Sequence, residues 1–166
     1  TRPMPSGGWL LAGAALCGGR AYALLADFFA QTARMMGMDT NAPYAAMEGL
    51  LKSADRPEDV PTVLPLFEGT RQDSTQTGSI TGLTAENFTP LHLIYGMMDG
   101  MAHELHQMYQ AYRAAGGTAK KLIGSGGGLR NNRFLCESFS RVFDSAIILS
   151  DGREEAACGA ALYAAD

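Results

Sequence analysis

KKLIGSGGGLRNNRFLCESF, residues Lys120 to Phe139, runs from a basic pair into Leu122 and Ile123, then through Gly124, Ser125, Gly126, Gly127 and Gly128, and past Arg130, Asn131 and Asn132 into an apolar-periodic segment. It reads as a strand, a glycine turn and a helix start. Such a turn lets a ligand touch backbone amides with no Cβ in the way, and the helix N-terminus adds unpaired N–H groups and partial positive charge. That suits a phosphate, yet two phosphate patterns fail here. The Walker pattern needs Lys and then Ser or Thr after its last glycine, where Leu129 and Arg130 stand. The dinucleotide pattern G-x-G-x-x-G meets Leu129 when counted from Gly124 and Asn131 when counted from Gly126. On pattern alone, a tight structural turn and a nucleotide contact both stand.

Outward from this stretch the order is strand, helix, strand, helix. SAIILS reads as a strand, and GREEAACGAALYAA as a helix with a face of small residues. That alternation predicts an α/β layer with parallel pairing. Near the start, WLLAGAAL, Trp9 to Leu16, is a continuous apolar run of the kind a buried strand shows. We therefore expect strands at 9–16, 120–124 and 146–149 in one sheet, with helices 90–113 and 153–165 packed on it.

Between these ends, GGRAYALLADFFAQTARMMG keeps a helical spacing and stops at Gly37, and APYAAMEGLLKSA is a second, shorter helix. Val63–Phe67 reads as a strand near an edge, Ser79–Thr81 as a short strand, and ADRPEDVP as an excursion within one domain. Thr89 is placed to cap a helix with Pro90 at its first position. Ile94, Met97, Met98, Met101, Leu105, Met108 and Tyr112 then form one apolar stripe, a core face.

The 166 residues suffice for one domain with a core, and 46% apolar and 18% charged residues are ordinary for a globular chain. A net charge of −4 gives no sign of a nucleic-acid groove or a basic membrane patch. Cys17, Cys136 and Cys158 are widely spaced and odd in number, which favours reduced thiols, buried as small hydrophobes, in a cytoplasmic protein. Thr1 in place of Met reads as the start of an excised piece. The leader-like RPMPSGGWLLAGAALCGG has an apolar run too short for a targeting segment, and no run approaches a membrane span.

Other chemistry is weaker. His103 and His106 in HELH miss the H-E-x-x-H spacing and read as a surface pair. Glu154 and Glu155 are adjacent and point about 100° apart on a helix, so they read as first-turn acids. The sequon Asn87–Thr89 carries no meaning in a cytoplasmic protein.

LIGSGGGLRNNRFLCESFSRVF…EEAACGAALYAA resembles the adenosine-binding end of the FGGY carbohydrate kinases. PLFEGTR resembles that family's Gly-Glu-Arg segment, with Thr70 where Glu is common. GSITGLTAENFTPLHLIYGMMDG resembles its second signature, from Gly78 to Asp99, and WLLAGAALCGGRAY the strand and turn after its second phosphate loop. GGRAY, PLFEGTR and GSGGGLRNN look most like the sedoheptulokinase-like branch. The resemblance implies a ribonuclease H-like domain of the actin and hexokinase type, a mixed sheet flanked by helices. It implies the C-terminal, nucleotide-side domain of a two-domain kinase that moves the γ-phosphoryl of ATP to a ketose hydroxyl. Gly13 is then expected beside the phosphates, Gly127 and Gly128 against adenosine, and Asn132 on the adenine, where an amide can both accept and donate. Cys17 stands where glycerol kinases carry a nucleotide-contacting Gln, and that role is not transferred. The general base, the first phosphate loop and the Mg²⁺ ligands are expected upstream, so no catalytic or metal residue is assigned here. The implied partners are the protein's own N-terminal domain and a sugar, with self-association through the exposed cleft wall. A non-catalytic binding domain of the same fold and a dinucleotide-using α/β enzyme remain as alternatives.

Overall fold

The computed structural model describes residues 2–3, 7–38, 41–152 and 154–165. They divide into two compact units, Thr1–Thr118 and Ala119–Asp166.

In the first unit, β1 (Arg2–Pro3) pairs antiparallel with β2 (Trp9–Leu10), followed by α1 (Gly18–Met35) and α2 (Pro43–Ser53). β3 (Thr62–Leu64) pairs antiparallel with β4 (Ser79–Thr81), with Val63 opposite Ile80. α3 (Pro90–Ala114) follows and carries the core. Thr89 caps it as expected, accepting from the His92 backbone N–H, with Pro90 in the first turn. Every residue from Leu93 to Ala102 is buried, so this half of the helix is enclosed on all sides and not along a stripe alone. α3 packs on β3, α1 and α2.

Two glycines permit that packing. A Cβ at Gly96 would lie 2.7 Å from the Pro61 carbonyl, and one at Gly100 would collide with the Val63 carbonyl. The 54–61 segment is fastened over the same helix. Arg56 pairs with buried Asp99 at 2.6 Å and lies over the Tyr95 ring. His92 joins Thr89 Oγ1 at 2.7 Å through Nδ1 and Asp59 at 3.1 Å through Nε2. Asn87, 3% exposed, donates to the Asp59 and Gly82 carbonyls and accepts from the Thr84 N–H. Its side chain holds the loop together, a structural use for the sequon asparagine.

In the second unit β5 (Leu122–Gly124) pairs parallel with β6 (Ile147–Leu149), Gly124 opposite Leu149. Between them lie α4 (Gly127–Asn131) and α5 (Arg133–Val142), and α6 (Glu155–Ala165) ends the chain. The parallel pair is the strand–helix–strand crossover that the sequence predicts.

The single-sheet expectation is corrected. Among the described residues there are three two-stranded ladders: β5 and β6 share one, as expected, but β2 pairs with β1 and not with them. The apolar run at 9–16 forms a strand over Trp9–Leu10 alone. Its one partner is a two-residue strand, so Trp9 is left 73% exposed. A strand buried on both faces needs a neighbour on each side, and among the described residues this segment has β1 alone. NNRFLCESFSRVF, Asn131 to Phe143, reads as one helix; α5 forms over Arg133–Val142 of it, and Asn131 instead ends the separate short helix α4. Of the expected helix 153–165, Arg153 lies outside the described residues, and no residue of α6 is buried. Residues 4–6 of the leader-like stretch lie outside them too. No described helix is long and apolar enough to cross a membrane.

The α3–β3 contact gives a paired prediction. Gly100→Ala must displace the Val63 backbone and should cost roughly 1–3 kcal/mol. Gly49→Ala, at an exposed position of α2 with nothing within 4 Å of the added methyl, should stabilise by about 0.5–1 kcal/mol through helix propensity. Thermal melts of both variants of the full-length protein check this, and the two melting shifts should have opposite signs.

Candidate functional site

The glycine turn is built by three different requirements. Gly124 ends β5 where a Cβ would sit 2.7 Å from the Ile147 side chain. Gly126 precedes α4 at φ +95°, a conformation that side-chain-bearing residues rarely adopt. Gly127 and Gly128 have neither constraint. They are exposed, lie in the first turn of α4, and an added Cβ would make ordinary contacts at 3.8 Å with Asn131 and Leu135.

The turn is tied to the loop after β6. The Ser150 N–H donates to the Gly124 carbonyl at 2.9 Å. Arg130 reaches from α4 to the Gly152 carbonyl and the Glu155 carboxylate, and the Ser150 hydroxyl donates to the same carboxylate at 2.6 Å. These hydrogen bonds, that from Ser150 foremost, hold the Glu155 carboxyl below its usual range. Glu155 is thus a first-turn acid of α6, as its position suggested, and also the acceptor that ties the loop to α4.

Asn132 has a structural task that sequence reading missed. It ends α4 and caps α5, its Oδ1 accepting from the Leu135 N–H at 3.1 Å. The signal was present, since Asn before an apolar-periodic segment is an N-cap pattern. Cys136 backs the same joint, its thiol donating to the Leu129 carbonyl at 3.0 Å.

Gly13 belongs to the first unit and lines a cavity of about 510 Å³ with Leu16, Arg71, Gln72, Glu104 and Met108. A Cβ on Gly13 would lie 2.7 Å from the Met108 sulfur, so α3 itself requires a glycine here. Glu104 stands one turn before Met108 on that helix. Its Oε2 is sealed from solvent and has no hydrogen-bond partner among the described residues, and burial pushes its carboxyl up. The signal for Glu104 was an acid at helical spacing from Met97, Met101 and Met108, on the apolar stripe itself.

The three cysteines diverge. Cys17 is buried, Cys136 half-buried and Cys158 exposed, so the shared expectation of burial fails for Cys158. Burial, followed by the nearby Glu68 carboxylate, pushes the Cys17 thiol up, which makes it a poor nucleophile. His103 is exposed and His106 is half-buried beside the Tyr109 ring. No group of three or more His, Cys, Asp or Glu side chains that could hold a metal converges among the described residues.

A strand-to-helix glycine turn behind a parallel pair, with a Gly-Ala-Ala helix after it, is the arrangement on which the family resemblance rested. The sequence profile of the FGGY family of carbohydrate kinases, C-terminal domain, matches residues 2–165. The chain belongs to the FGGY family of carbohydrate kinases. It is 28% identical over 93 residues to the xylulose kinase of Bacillus subtilis, a match covering 56% of this chain and 18% of that protein. The solved xylulose kinase of Rhodospirillum rubrum superposes with a TM-score of 0.65 at 24% identity, over 79% of this chain and 25% of that one. The Plasmodium falciparum glycerol kinase solved with ADP superposes at 0.57 and 19% identity, over 82% of this chain and 27% of that one. These likenesses show the FGGY kinase fold, the actin and hexokinase-like α/β class. The chain spans about a fifth to a quarter of the length of these relatives.

The buried carboxyl of this FGGY domain yields a pH prediction. A glutamate whose folded-state pKa is raised binds its proton more readily folded than unfolded. Its unfavourable contribution is absent below the unfolded value, about 4.3, grows as pH rises from there towards the folded value, and is complete above it. Glu104→Met should therefore raise the melting temperature of the full-length protein at pH 7.5, with the gap closing as pH falls into the ordinary glutamate range. A gap of constant size from pH 4 to 8 would show that burial of charge is not its source.

Proposed function

We propose that this chain is the nucleotide-side domain of an ATP-dependent kinase whose acceptor is a ketose, sedoheptulose or a pentulose such as xylulose or ribulose. One observation carries the reading. Gly127 and Gly128 are exposed glycines in the first turn of α4, a Cβ fits at both, and alanine is the better helix former. A flat ligand lying on that backbone gives them a reason that the chain's own packing does not. Adenosine fits it, with the Asn132 amide placed in the same joint. The xylulose kinase relatives support the ketose, and the family match supports ATP as phosphoryl donor.

In this reading Mg²⁺ and the general base are supplied by the rest of the protein, and residues 1–166 alone transfer no phosphoryl group. Phosphoryl transfer relies on positioning and charge stabilisation around the reacting oxygens. The chain's own residues position the nucleoside: backbone at Gly127 and Gly128 receives it, and Asn132 orients it while capping α5. Gly13 is read as a neighbour of the phosphates. The reading places the enzyme in the cytoplasm, where ATP and sugars meet.

Assay of the full-length protein with ATP against a panel of ketoses tests the reaction, and no turnover on any of them would leave a non-catalytic binding domain. Two substitutions test the site. Gly128→Ala should leave the melting temperature unchanged or higher and raise the KM for ATP roughly fivefold or more, a loss in line with overpacking costs. Asn132→Asp keeps an equally good N-cap but exchanges the amide donor for a carboxylate. It should weaken ATP binding while the melting temperature holds. Unchanged KM values for ATP in both variants would make the turn a structural device.

A further inference from the structure

We propose that Glu155 is a positioning residue for the nucleotide turn: it fastens both ends of the glycine segment and through them sets the affinity for ATP. The inference rests on the nucleotide reading above and extends it to a residue that the sequence marks only as a first-turn acid. Every side chain it uses lies in the second unit.

Three observations carry it. Gly126, Gly127 and Gly128 have no side chains with which to fix their own backbone, and α4, which they open, has five residues, too few for a helix to hold by itself. The turn therefore depends on ties at its two ends. At the strand end the Gly124 carbonyl accepts from the Ser150 N–H at 2.9 Å, and at the helix end Arg130 reaches the Gly152 carbonyl. Second, both ties lead to one atom: Glu155 Oε1 accepts from the Ser150 hydroxyl at 2.6 Å and from the Arg130 guanidinium. Third, no residue of α6 is buried, so the carboxylate does not serve to seat that helix in a core. The Asn132 cap and the Cys136 thiol join α4 to α5 and leave the glycine end untouched.

A carboxylate suits this task because it only accepts, so one of its oxygens can take a guanidinium and a hydroxyl together. Hydrogen bonds with an ionised partner are also stronger than neutral ones. An amide in its place keeps an oxygen for the hydroxyl and loses the charge that holds Arg130. Without the bridge, Arg130 and the 150–152 loop are released from each other, and the glycine backbone gains conformational freedom. Part of the binding free energy of the nucleotide then goes into ordering that backbone again. The loss falls on nucleotide binding and not on the reacting oxygens once the nucleotide is seated.

The test measures ATP binding to the full-length protein by calorimetry, below the melting transition, for wild type, Glu155→Gln, Glu155→Ala, Arg130→Met and the double variant Glu155→Ala/Arg130→Met. Glu155→Ala should weaken ATP binding roughly tenfold, as for loss of a hydrogen bond to a charged group. Glu155→Gln should weaken it by a smaller factor. In turnover, the KM for ATP should rise while kcat at saturating ATP stays within about twofold of wild type. The double variant should bind ATP no worse than the poorer single variant, because the two side chains act as one unit. A merely structural acid would lower the melting temperature and leave ATP affinity at the wild-type value, and that result in both Glu155 variants overturns the proposal. A double variant that loses the product of the two single losses overturns it too. If Glu155→Ala does not fold, Glu155→Gln decides alone. A wild-type protein that gives no heat with ATP overturns the nucleotide reading itself, and that failure shows before any substitution is made.

Discussion

α3 can carry the first unit's core because residues 96 and 100 have no side chains. The Val63 carbonyl occupies the space a methyl group at residue 100 would need, and the Pro61 carbonyl crowds residue 96. This approach lets a short antiparallel ladder lie directly on the helix backbone, and it fixes what surrounds it. Asp99, next to Gly100, is drawn under the 54–61 segment and neutralised by Arg56. Asn87 and His92 fasten the same segment at its Asp59 end. With that half of the helix sealed, its next turn carries Glu104 and Met108 to the cavity wall. A change at Gly100 is therefore felt first in the Arg56–Asp99 pair and then at the cavity.

Much of this was legible. The caps, the long stripe and the parallel strand pair follow from residue spacing: Thr89-Pro90 starts α3, Gly37 follows α1, and LIG and IIL flank a helical segment. These signals are local, so one chain of letters holds them. The strand at 9–16 was misread because an apolar run states what a segment would bury and not which edges are present to bury it. In the structure Trp9 and Leu10 meet one short neighbour and stay exposed. Asn132 was read for its amide chemistry while its geometry as a cap went unused. Glu104 lies between His103 and His106 in the sequence, and its place on the methionine stripe is the signal that sets it apart.

The family resemblance and the residues answered different questions. The resemblance fixed the fold, and the match over residues 2–165 establishes the family. It could not say why a given glycine is glycine. Gly13 shows the difference: Met108 at 2.7 Å already forbids a side chain there, so its identity alone is no sign of a ligand.

The remaining unusual residues divide by whether the chain's own packing accounts for them. Gly96, Gly100 and Gly124 are explained by close neighbours, Gly126 by its φ of +95°, and Asn132 by the cap it forms. Gly127, Gly128 and Glu104 have no such explanation. Alanine would serve α4 better at both glycine positions, and an apolar side chain would serve the α3 stripe better at residue 104. Natural sequences break local rules mainly where function requires it. The two glycines lie on the turn proposed to receive adenosine. Packing within the fold requires neither Gly127 nor Gly128 to lack a side chain, and a ligand lying on the α4 backbone would require both.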